Sequence, residues 1–558
     1  VSGRMYLYCE GTPGLLFTEN ETNRKRIFGA LNISPYVKDG INDYITRNSE
    51  DAVNPRRTGT KVSAHYTLDI PAGGEASVRL ILSHGKRLGT GKEIFEGFGN
   101  VLATRKKEAD DFYSFITPET LDGDSKDIMR QALAGMLWSK QYYFFDLDKW
   151  LREHGAGVAA LQPNGNVRNK EWFHMINDDI ISMPDKWEYP WYAAWDLAFH
   201  TISLDMVDPD FSKQQLELML KEVYLHPNGQ IPAYEWNFSD VNPPVHAFAS
   251  LYLYNTQKQI TGKGDVTFLK QIFDKLVLNF TWWVNRKDRT GKNVFEGGFL
   301  GLDNIGVFDR SSALPTGGYL EQADGTAWMA MFCQNMLEIA FELAHEDPTY
   351  EDMAVKFAEH FLWIASAMDR TGNHHDEMWD EEDGFFYDIL RLPDGHAQRL
   401  KVRSLVGLLP LCASTVYDAG VAEKFPTFTE RMRRRLGRME ELISTIHPPA
   451  ERGYAGRYLL SILNEGKLRR DLERMLDENE FLSDYGIRSL SRYHKDHPYI
   501  FWVNGQEYRV DYMPAESMTG LFGGNSNWRG PVWFPINGLI IRSLLHLYKY
   551  YGSDFKVE

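Results

Sequence analysis

Residues 323–345, ADGTAWMAMFCQNMLEIAFELAH, and residues 349–368, TYEDMAVKFAEHFLWIASAM, decide the fold class of this chain. In both stretches the apolar residues recur three and four positions apart, which is the spacing of an α-helix that buries one or more of its faces. A short connection separates the two stretches. They therefore predict a pair of packed helices.

The same helical pattern recurs along most of the chain. It is found at residues 124–152, 192–206, 211–224, 245–262, 265–287, 400–418, 424–445, 456–477 and 533–552. Long loops rich in glycine and aromatic residues, such as 296–324 and 499–533, alternate with short connections. Loops longer than about 12–15 residues are usually functional. Repeated helical hairpins with long loops at one end predict a mainly α fold, a closed α/α barrel whose loops build a site at one mouth.

The first part of the chain has a different pattern. Residues 63–70, SAHYTLDI, alternate in period two, a turn follows at Pro71, and residues 76–82, ASVRLIL, again resemble a strand. We expect these two strands to form a β-hairpin at the end of a sandwich. The predicted domains are residues 1–91, the C-terminal part of a β-sandwich plus a linker, and residues 92–558, the catalytic barrel. Because the chain begins with Val1 in a β-like region, we expect an earlier segment to precede it.

Composition narrows the possible partners. The 558 residues carry a net charge of -16, with no basic stripe to neutralise phosphates, so a nucleic acid partner is not expected. No run approaches the roughly 18 apolar residues of a membrane helix, which predicts a chain that does not span a membrane. The three cysteines are far apart, and no start signal for secretion is recognisable, which favours a cytoplasmic location. The oligomeric state leaves no trace in the sequence.

Aromatic residues make up 13% of the chain, with 15 Trp, 28 Tyr and 32 Phe. Sugar rings stack their flat C–H faces on aromatic rings, so aromatic residues beside carboxylates favour a carbohydrate site. A large core would give the same composition. The positions of the aromatic residues therefore matter more than their number.

Two aromatic loops carry carboxylates. Residues 187–196, WEYPWYAAWD, supply Trp191, Trp195 and Asp196 as candidate sugar contacts, although Asp196 could instead favour the helix dipole from a first turn. The following His200 is expected to be a core histidine. Residues 231–240, IPAYEWNFSD, supply Glu235 and Trp236 as candidate contacts at the rim of the site.

Asp303 is the candidate general acid. It lies in residues 296–310, EGGFLGLDNIGVFDR, and its apolar neighbours should raise the pKa of the carboxyl and keep a proton on it. Asn304 is a candidate substrate contact. Asp324 begins the next predicted helix and either caps it or contacts a sugar. Asp309 and Arg310 are expected to form a local ion pair.

Glu516 is the candidate general base. It lies in residues 511–533, DYMPAESMTGLFGGNSNWRGPVW, where Asn525, Asn527 and Arg529 could hydrogen-bond a carboxylate and hold a water. A solvated loop glutamate is the alternative. Within the same loop, Trp528, Arg529 and Trp533 are candidate substrate contacts.

Two carboxylates are what glycoside hydrolysis requires, one protonated and one ionised. A separation of roughly 6.5–9.5 Å would leave room for a water and give inversion, whereas about 5–5.5 Å would give retention. Since acid, base and a positioned water suffice, we expect no cofactor. The acidic residues 376–383, with His374 and His375 beside them, lack the alternation of a calcium loop, and no metal is expected.

These loops resemble those of glycoside hydrolase family 63 and its bacterial relatives, which include processing α-glucosidase I and mannosylglycerate hydrolase-like enzymes. The resemblance runs from about residue 92 onward and is most specific at residues 301–304, GLDN, at the Glu516 loop and at residues 527–533, NWRGPVW. It implies an (α/α)6 toroid preceded by a β-sandwich and an inverting mechanism, with Asp303 as acid and Glu516 as base. It also implies that Trp191, Trp195, Asp196, Trp528 and Arg529 line the subsite of the departing sugar.

The sequence thus predicts an inverting, exo-acting hydrolase of an α-glucosidic bond in an oligosaccharide or small glucoside, with water as the nucleophile. A trehalase-like or glucoamylase-like hydrolase of the same fold is the nearest alternative. A sugar phosphorylase would replace the base with a phosphate-binding cluster, which Glu516 argues against. From a different class, a catalytically inactive sugar-binding relative or a structural barrel stays open.

Overall fold

The structure is a computed structural model that describes residues 3–87, 89–157, 165–187, 189–369, 376–521 and 526–557. The chain forms two compact units, Val1–Leu121 and Asp122–Glu558. The division therefore falls later in the sequence than the domain boundary expected after residue 91, and the first unit includes a long helix that the sequence analysis had placed with the barrel.

The described residues of the first unit form two antiparallel strand pairs and three helices. Strand β1 (Tyr6–Cys9) pairs with β4 (Leu80–Ser83), and β2 (Gly14–Thr18) pairs with β3 (Lys61–His65). The helices are α1 (Arg24–Phe28), α2 (Gly40–Arg47) and α3 (Phe98–Ile116), with 3-10 turns at Glu50–Ala52 and Gly91–Phe95.

The predicted hairpin between residues 63–70 and 76–82 is wrong. The two segments do contain strands, but each of them pairs with a strand from the start of the chain. Period-two alternation identifies the two faces of a strand and carries no information about its partner. A small core of Leu16, Ile41 and Val53 joins β2 to α2 instead.

Helices dominate the second unit, and most begin and end within a few residues of the predicted segments. They are α4 (Gly123–Trp138), α5 (Leu147–Glu153), α6 (Ala194–Leu204), α7 (Pro209–Leu218), α8 (His246–Thr261), α9 (Val266–Arg286), α10 (Ala323–Ala344), α11 (Tyr350–Ala367), α12 (Leu405–Leu408), α13 (Val421–Lys424), α14 (Pro426–Leu436), α15 (Glu440–Ile443), α16 (Glu465–Leu476) and α17 (Phe534–Tyr551), with 3-10 turns at Leu409–Cys412, Tyr454–Gly456 and Arg492–Lys495. The prediction of a mainly α fold is confirmed.

Short strands connect these helices. They pair as β5 (Lys140–Asp146) with β6 (Ile176–Ser182), β7 (Tyr319–Glu321) with β10 (Asp388–Arg391) and β10 with β11 (Ala397–Leu400), β8 (Trp379–Asp380) with β9 (Phe385–Phe386), β12 (Ser414–Tyr417) with β13 (Tyr458–Ser461), β14 (Leu482–Ser483) with β15 (Gly486–Ile487), and β16 (Tyr499–Val503) with β17 (Gln506–Val510). The strands β5, β12 and β13 interrupt segments that were predicted to be wholly helical. Apolar runs as short as these do not separate helix from strand by periodicity.

Helix α10 is the centre of the second unit. All of its residues except Glu338 and Glu342 are buried, and it packs against α8, α9 and α11. A helix that is apolar on every side belongs inside a protein. Its first residue, Ala323, lies at the end of the long segment that carries Asp303. The buried helix therefore holds the end of that segment in place. Among the described residues, no helix combines the length and apolar character needed to cross a bilayer.

Candidate active site

A left-handed turn presents Asp303. Leu300 and Gly301 have φ values of +51° and +72°, and the side chains of Leu300, Leu302 and Ile305 are buried around the turn. A Cβ atom on Gly301 would lie 2.2 Å from Cζ2 of Trp195, so the indole of Trp195 occupies the space that any side chain at Gly301 would need. The first aromatic loop and the Asp303 loop are therefore in contact.

We expect Gly301→Ala to lower the free energy of unfolding by about 1–3 kcal/mol, because alanine would be strained at this φ and would also displace Trp195. Gly291→Ala is the matched control: its φ is +68°, but the space beside it is open. Urea denaturation measures both. If the two variants lose equal stability, the contact with Trp195 contributes nothing.

Asp303 has the electrostatic character of a proton donor. Burial raises the pKa of Asp303 to about 7, and the nearby carboxylates of Asp196 and Asp240 raise it as well, while a hydrogen bond from Ser526 lowers it. The raised pKa of Asp303 agrees with the direction that its apolar neighbours in the sequence predicted. Near neutral pH the group is therefore poised between its protonated and ionised forms, as a general acid requires.

Two further acidic groups lie near Asp303. Burial raises the pKa of Asp196, in the first turn of α6, to about 6. The hydroxyl of Tyr234 donates to Oδ2 of Asp240 at 3.0 Å, and burial also raises the pKa of Asp240. Sequence reasoning selected Glu235 and Trp236 from this loop and missed Tyr234 and Asp240, although they stand in the same quoted stretch.

Asp240 also borders a cavity of about 340 Å³. Its lining includes Lys287, Arg289, Glu296 and Tyr319. Burial lowers the pKa of Lys287, and Arg289 pairs with Glu296 at 3.0 Å. The cavity is thus mainly polar and lies at the base of the Asp303 loop, whose residues Gly297 and Gly298 form part of its wall.

Glu235 is held by other protein groups. It accepts hydrogen bonds from Arg168 at 3.0 Å and from the hydroxyl of Tyr143 at 2.7 Å. The exposed ring of Trp236 lies 4.1 Å from the Arg168 guanidinium and 6.2 Å from the ring of Trp191. Trp191 and Trp236 therefore pack edge to face, whereas both carboxylate oxygens of Glu235 are bonded to other protein groups.

Asn304 does not have the role predicted for it. Its side chain is fully buried: Oδ1 accepts from the backbone N–H of Trp528 at 2.6 Å, and Nδ2 donates to Oδ1 of Asn527 at 3.1 Å. Nδ2 also lies 3.3 Å from Oγ of Ser517, the residue after Glu516. Asn304 therefore joins the Asp303 loop to the Glu516 loop and is not available to a sugar.

The side chain of Arg529 also joins the Glu516 loop to the Asp303 loop. Its Nε donates to the carbonyl of Asn304 at 2.6 Å, and its two terminal nitrogens donate to the carbonyls of Gly306 at 3.0 Å and Arg509 at 3.2 Å. The side chain is buried, and burial lowers the pKa of Arg529 to about 10. Three of its five N–H groups are used by backbone carbonyls, so Arg529 supports the loops, and its contact with substrate stays a prediction.

Three indoles stack beside the Asp303 loop. The rings of Trp528 and Trp533 are 4.1 Å apart and nearly parallel, and Trp195 lies 6.2 Å from Trp528. Trp528 is buried, so it supports the stack and cannot itself receive a sugar ring. Trp195 and Trp533 are partly buried and stay candidates for a sugar contact. Glu516 is exposed.

Asp324 and Arg310 form a buried ion pair. Arg310 lies 2.8 Å from Oδ2 of Asp324 and 3.5 Å from Asp388, and it also donates to the carbonyl of Phe299 at 2.6 Å. Asp324 is fully buried, which corrects its prediction as a sugar contact. The predicted Asp309–Arg310 pair is also wrong, since Asp309 accepts instead from the backbone N–H of Ser311 and the hydroxyl of Ser312.

His200 is partly buried: its Nδ1 lies 3.0 Å from Oγ of Ser182, and burial lowers its pKa to about 4. Asn525, His374 and His375 lie outside the described residues. The structure therefore brings Asp303, Asp196, Trp195 and the Glu516 loop together, and it assigns Asn304, Asp324, Arg529 and Glu235 to the framework around them.

Comparison with known proteins supports the resemblance. Residues 189–435 match the family described as the mannosylglycerate hydrolase MGH1-like glycoside hydrolase domain. The chain is 48% identical over 571 residues to an uncharacterized protein of Saccharomyces cerevisiae, an alignment that covers 98% of this chain and 52% of that protein. The chain thus spans about half the length of this curated relative.

Solved structures of a GH63 mannosylglycerate hydrolase from Thermus thermophilus are also similar. The complex with Tris is 15% identical, with a TM-score of 0.39 over 66% of this chain and 84% of that one. The complex with glucose is 15% identical, with a TM-score of 0.37 over 65% of this chain and 82% of that one.

Proposed function

Since residues 189–435 match the family model of an MGH1-like glycoside hydrolase domain, we propose that this protein is a glycoside hydrolase in which Asp303 is the general acid and Glu516 the general base. The observation that carries the proposal is the state of Asp303, a partly buried carboxyl whose pKa of about 7 leaves a proton available at neutral pH. The hydrogen bonds of Asn304 join its loop to that of Glu516, which supports a shared site.

In the proposed reaction, Asp303 donates its proton to the glycosidic oxygen as the C–O bond breaks. Glu516 accepts a proton from a water that attacks the anomeric carbon from the opposite side, so the configuration inverts. The bond is an α-glucosidic one at the end of an oligosaccharide or small glucoside, and Trp191, Trp195 and Trp236 offer the aromatic faces for stacking. The helical hairpins α6–α7, α8–α9 and α10–α11 support an (α/α)6 toroid as the frame.

Hydrolysis of kojibiose, nigerose, trehalose, glucosylglycerate and mannosylglycerate, followed by proton NMR of the first anomer released, tests this function. We expect the release of β-glucose from one of the glucosides. Release of α-glucose would refute inversion, preference for trehalose would favour the trehalase-like alternative, and release of mannose alone would refute glucose specificity. Binding without cleavage would indicate a catalytically inactive sugar-binding relative.

We expect Asp240→Asn to move the alkaline limb of the kcat/KM profile to lower pH. Asp303 must be protonated, so activity falls as the pH rises through its pKa. The negative charge of Asp240 favours the neutral form of Asp303, and removing that charge therefore lowers the pKa of Asp303. The kcat/KM of the cleaved glucoside across the acidic and neutral range measures the shift.

Asp418→Asn is the control for this profile, because Asp418 is 83% exposed and pairs only with a surface arginine, Arg457, in the contacts described. The Asp418→Asn variant should leave the alkaline limb of the kcat/KM profile at the wild-type pH. An unchanged limb in Asp240→Asn would mean that Asp240 does not influence the acid.

A further inference from the structure

One amide side chain lies where the two catalytic loops meet. Oδ1 of Asn527 accepts from Nδ2 of Asn304 at 3.1 Å and from the backbone N–H of Arg529 at 3.0 Å. Nδ2 of Asn527 donates to the carbonyls of Met513 and Ala515, each at 2.7 Å. An asparagine amide has two acceptor sites and two N–H donors, and all four are used here.

The partners also determine which way the amide of Asn527 points. A backbone N–H can only donate and a carbonyl can only accept, so Oδ1 must face Arg529 and Nδ2 must face Met513 and Ala515. The amide of Asn304 is oriented in the same manner, because its Oδ1 faces the backbone N–H of Trp528. The chain of contacts from one loop to the other is therefore specified atom by atom.

Each proposed catalytic carboxylate is one residue away from a group in this chain of contacts. Asn304 follows Asp303, and Ala515 precedes Glu516. We propose that Asn527 is a positioning residue that sets the Glu516 loop at its working distance from the Asp303 loop. This inference rests on the proposed function and deepens it.

The Glu516 loop needs such a support. Pro514, Ala515, Glu516, Met518 and Gly520 are all exposed, so apolar packing contributes little to holding this segment. Asn527 is 7% exposed, and its hydrogen bonds are therefore shielded from competing water. Because a misplacement of about 1 Å can cost about 10²-fold in rate, loss of this support should be seen in catalysis before it is seen in folding.

Asn527→Asp tests the inference, because it keeps an acceptor facing Arg529 and Asn304 while it removes the donors to Met513 and Ala515. The expected result is a fall of about 10–100-fold in kcat, with KM changed much less, on an unactivated α-glucoside and equally on α-glucosyl fluoride. Fluoride needs little protonation when it leaves, so a loss on both substrates indicates a defect in activating water.

The matched control is Asn464→Asp. Asn464 also donates its Nδ2 to a carbonyl, that of Thr445, and accepts a backbone N–H, that of Lys467, but it caps α16. The same chemical change there should leave both activities unaltered.

A double-mutant cycle separates positioning from general damage. In the Glu516→Gln background, Asn527→Asp should reduce the residual rate by less than about 2-fold, because the group that it positions has already been removed. An equally large loss in that background, or wild-type kcat in the single variant, would overturn the inference.

Two further variants keep the inference testable. If Asn527→Asp does not fold, Asn304→Asp removes the donor to Asn527 from the other side. Because this breaks the same link to the Glu516 loop, it should lower kcat on the unactivated glucoside and on the fluoride alike, and wild-type kcat on both would contradict the inference. If Asp303→Asn and Glu516→Gln keep full activity, the proposed function fails, whatever Asn527 does.

Discussion

Asp303→Asn is expected to lower kcat/KM for an unactivated α-glucoside by about 10²–10⁴-fold and to lower it far less for α-glucosyl fluoride. Asparagine keeps the size of the side chain but has no proton to give to a leaving oxygen. Fluoride leaves with little protonation, so its departure does not depend on the acid. Steady-state kinetics on both substrates measures the difference between the two losses.

The same variant should also lose the alkaline limb of the pH profile, because the pKa of about 7 belongs to Asp303. Asp394→Asn, at a surface carboxylate that is 69% exposed, serves as the control and should match the wild type. Equal losses on the two substrates would mean that Asp303 is not the acid, and Asp196, the nearby carboxyl with a pKa of about 6, would be the next candidate.

Glu516→Gln is expected to lower kcat by about 10²–10⁴-fold on the unactivated glucoside and on the fluoride alike. Glutamine cannot accept the proton of the attacking water, and both substrates need that water. Because Glu516 is exposed, the substitution should change the free energy of unfolding by no more than about 0.5 kcal/mol.

The Glu516→Gln variant should therefore lose activity while its free energy of unfolding, measured by urea denaturation, stays close to that of the wild type. A variant that folds normally and retains activity on both substrates would exclude Glu516 as the base. A variant that loses stability together with activity would instead indicate a structural role for this glutamate, which its exposed position does not predict.

Some features of the site could be predicted because they depend on near neighbours in the sequence. The apolar residues beside Asp303 in the sequence predicted the direction in which its pKa moves, and two of them, Leu302 and Ile305, are themselves buried. Helix patterns such as residues 323–345 were equally informative, because the spacing of apolar residues reports how a helix is buried.

The predictions that failed concern groups whose partners are far away in the sequence. Arg310 was expected to pair with its neighbour Asp309 but turns inward to Asp324 and Asp388. The strand at residues 61–65 pairs with residues 14–18, not with the strand that follows it. A buried charge pairs with the opposite charge that the fold brings close to it, and a strand pairs with the strand edge that lies beside it. The local sequence does not specify either partner.

By itself, the sequence determined the helical class of the fold and the loops that carry carboxylates and aromatic rings, because both follow from the spacing and chemistry of neighbouring residues. Only the tertiary structure decided what Asn304, Asn527 and Arg529 do. Polar residues in a glycine-rich loop suit a sugar and a backbone equally well. Once they are buried between two loops, the cost of leaving their hydrogen-bonding groups unpaired commits them to partners within the protein.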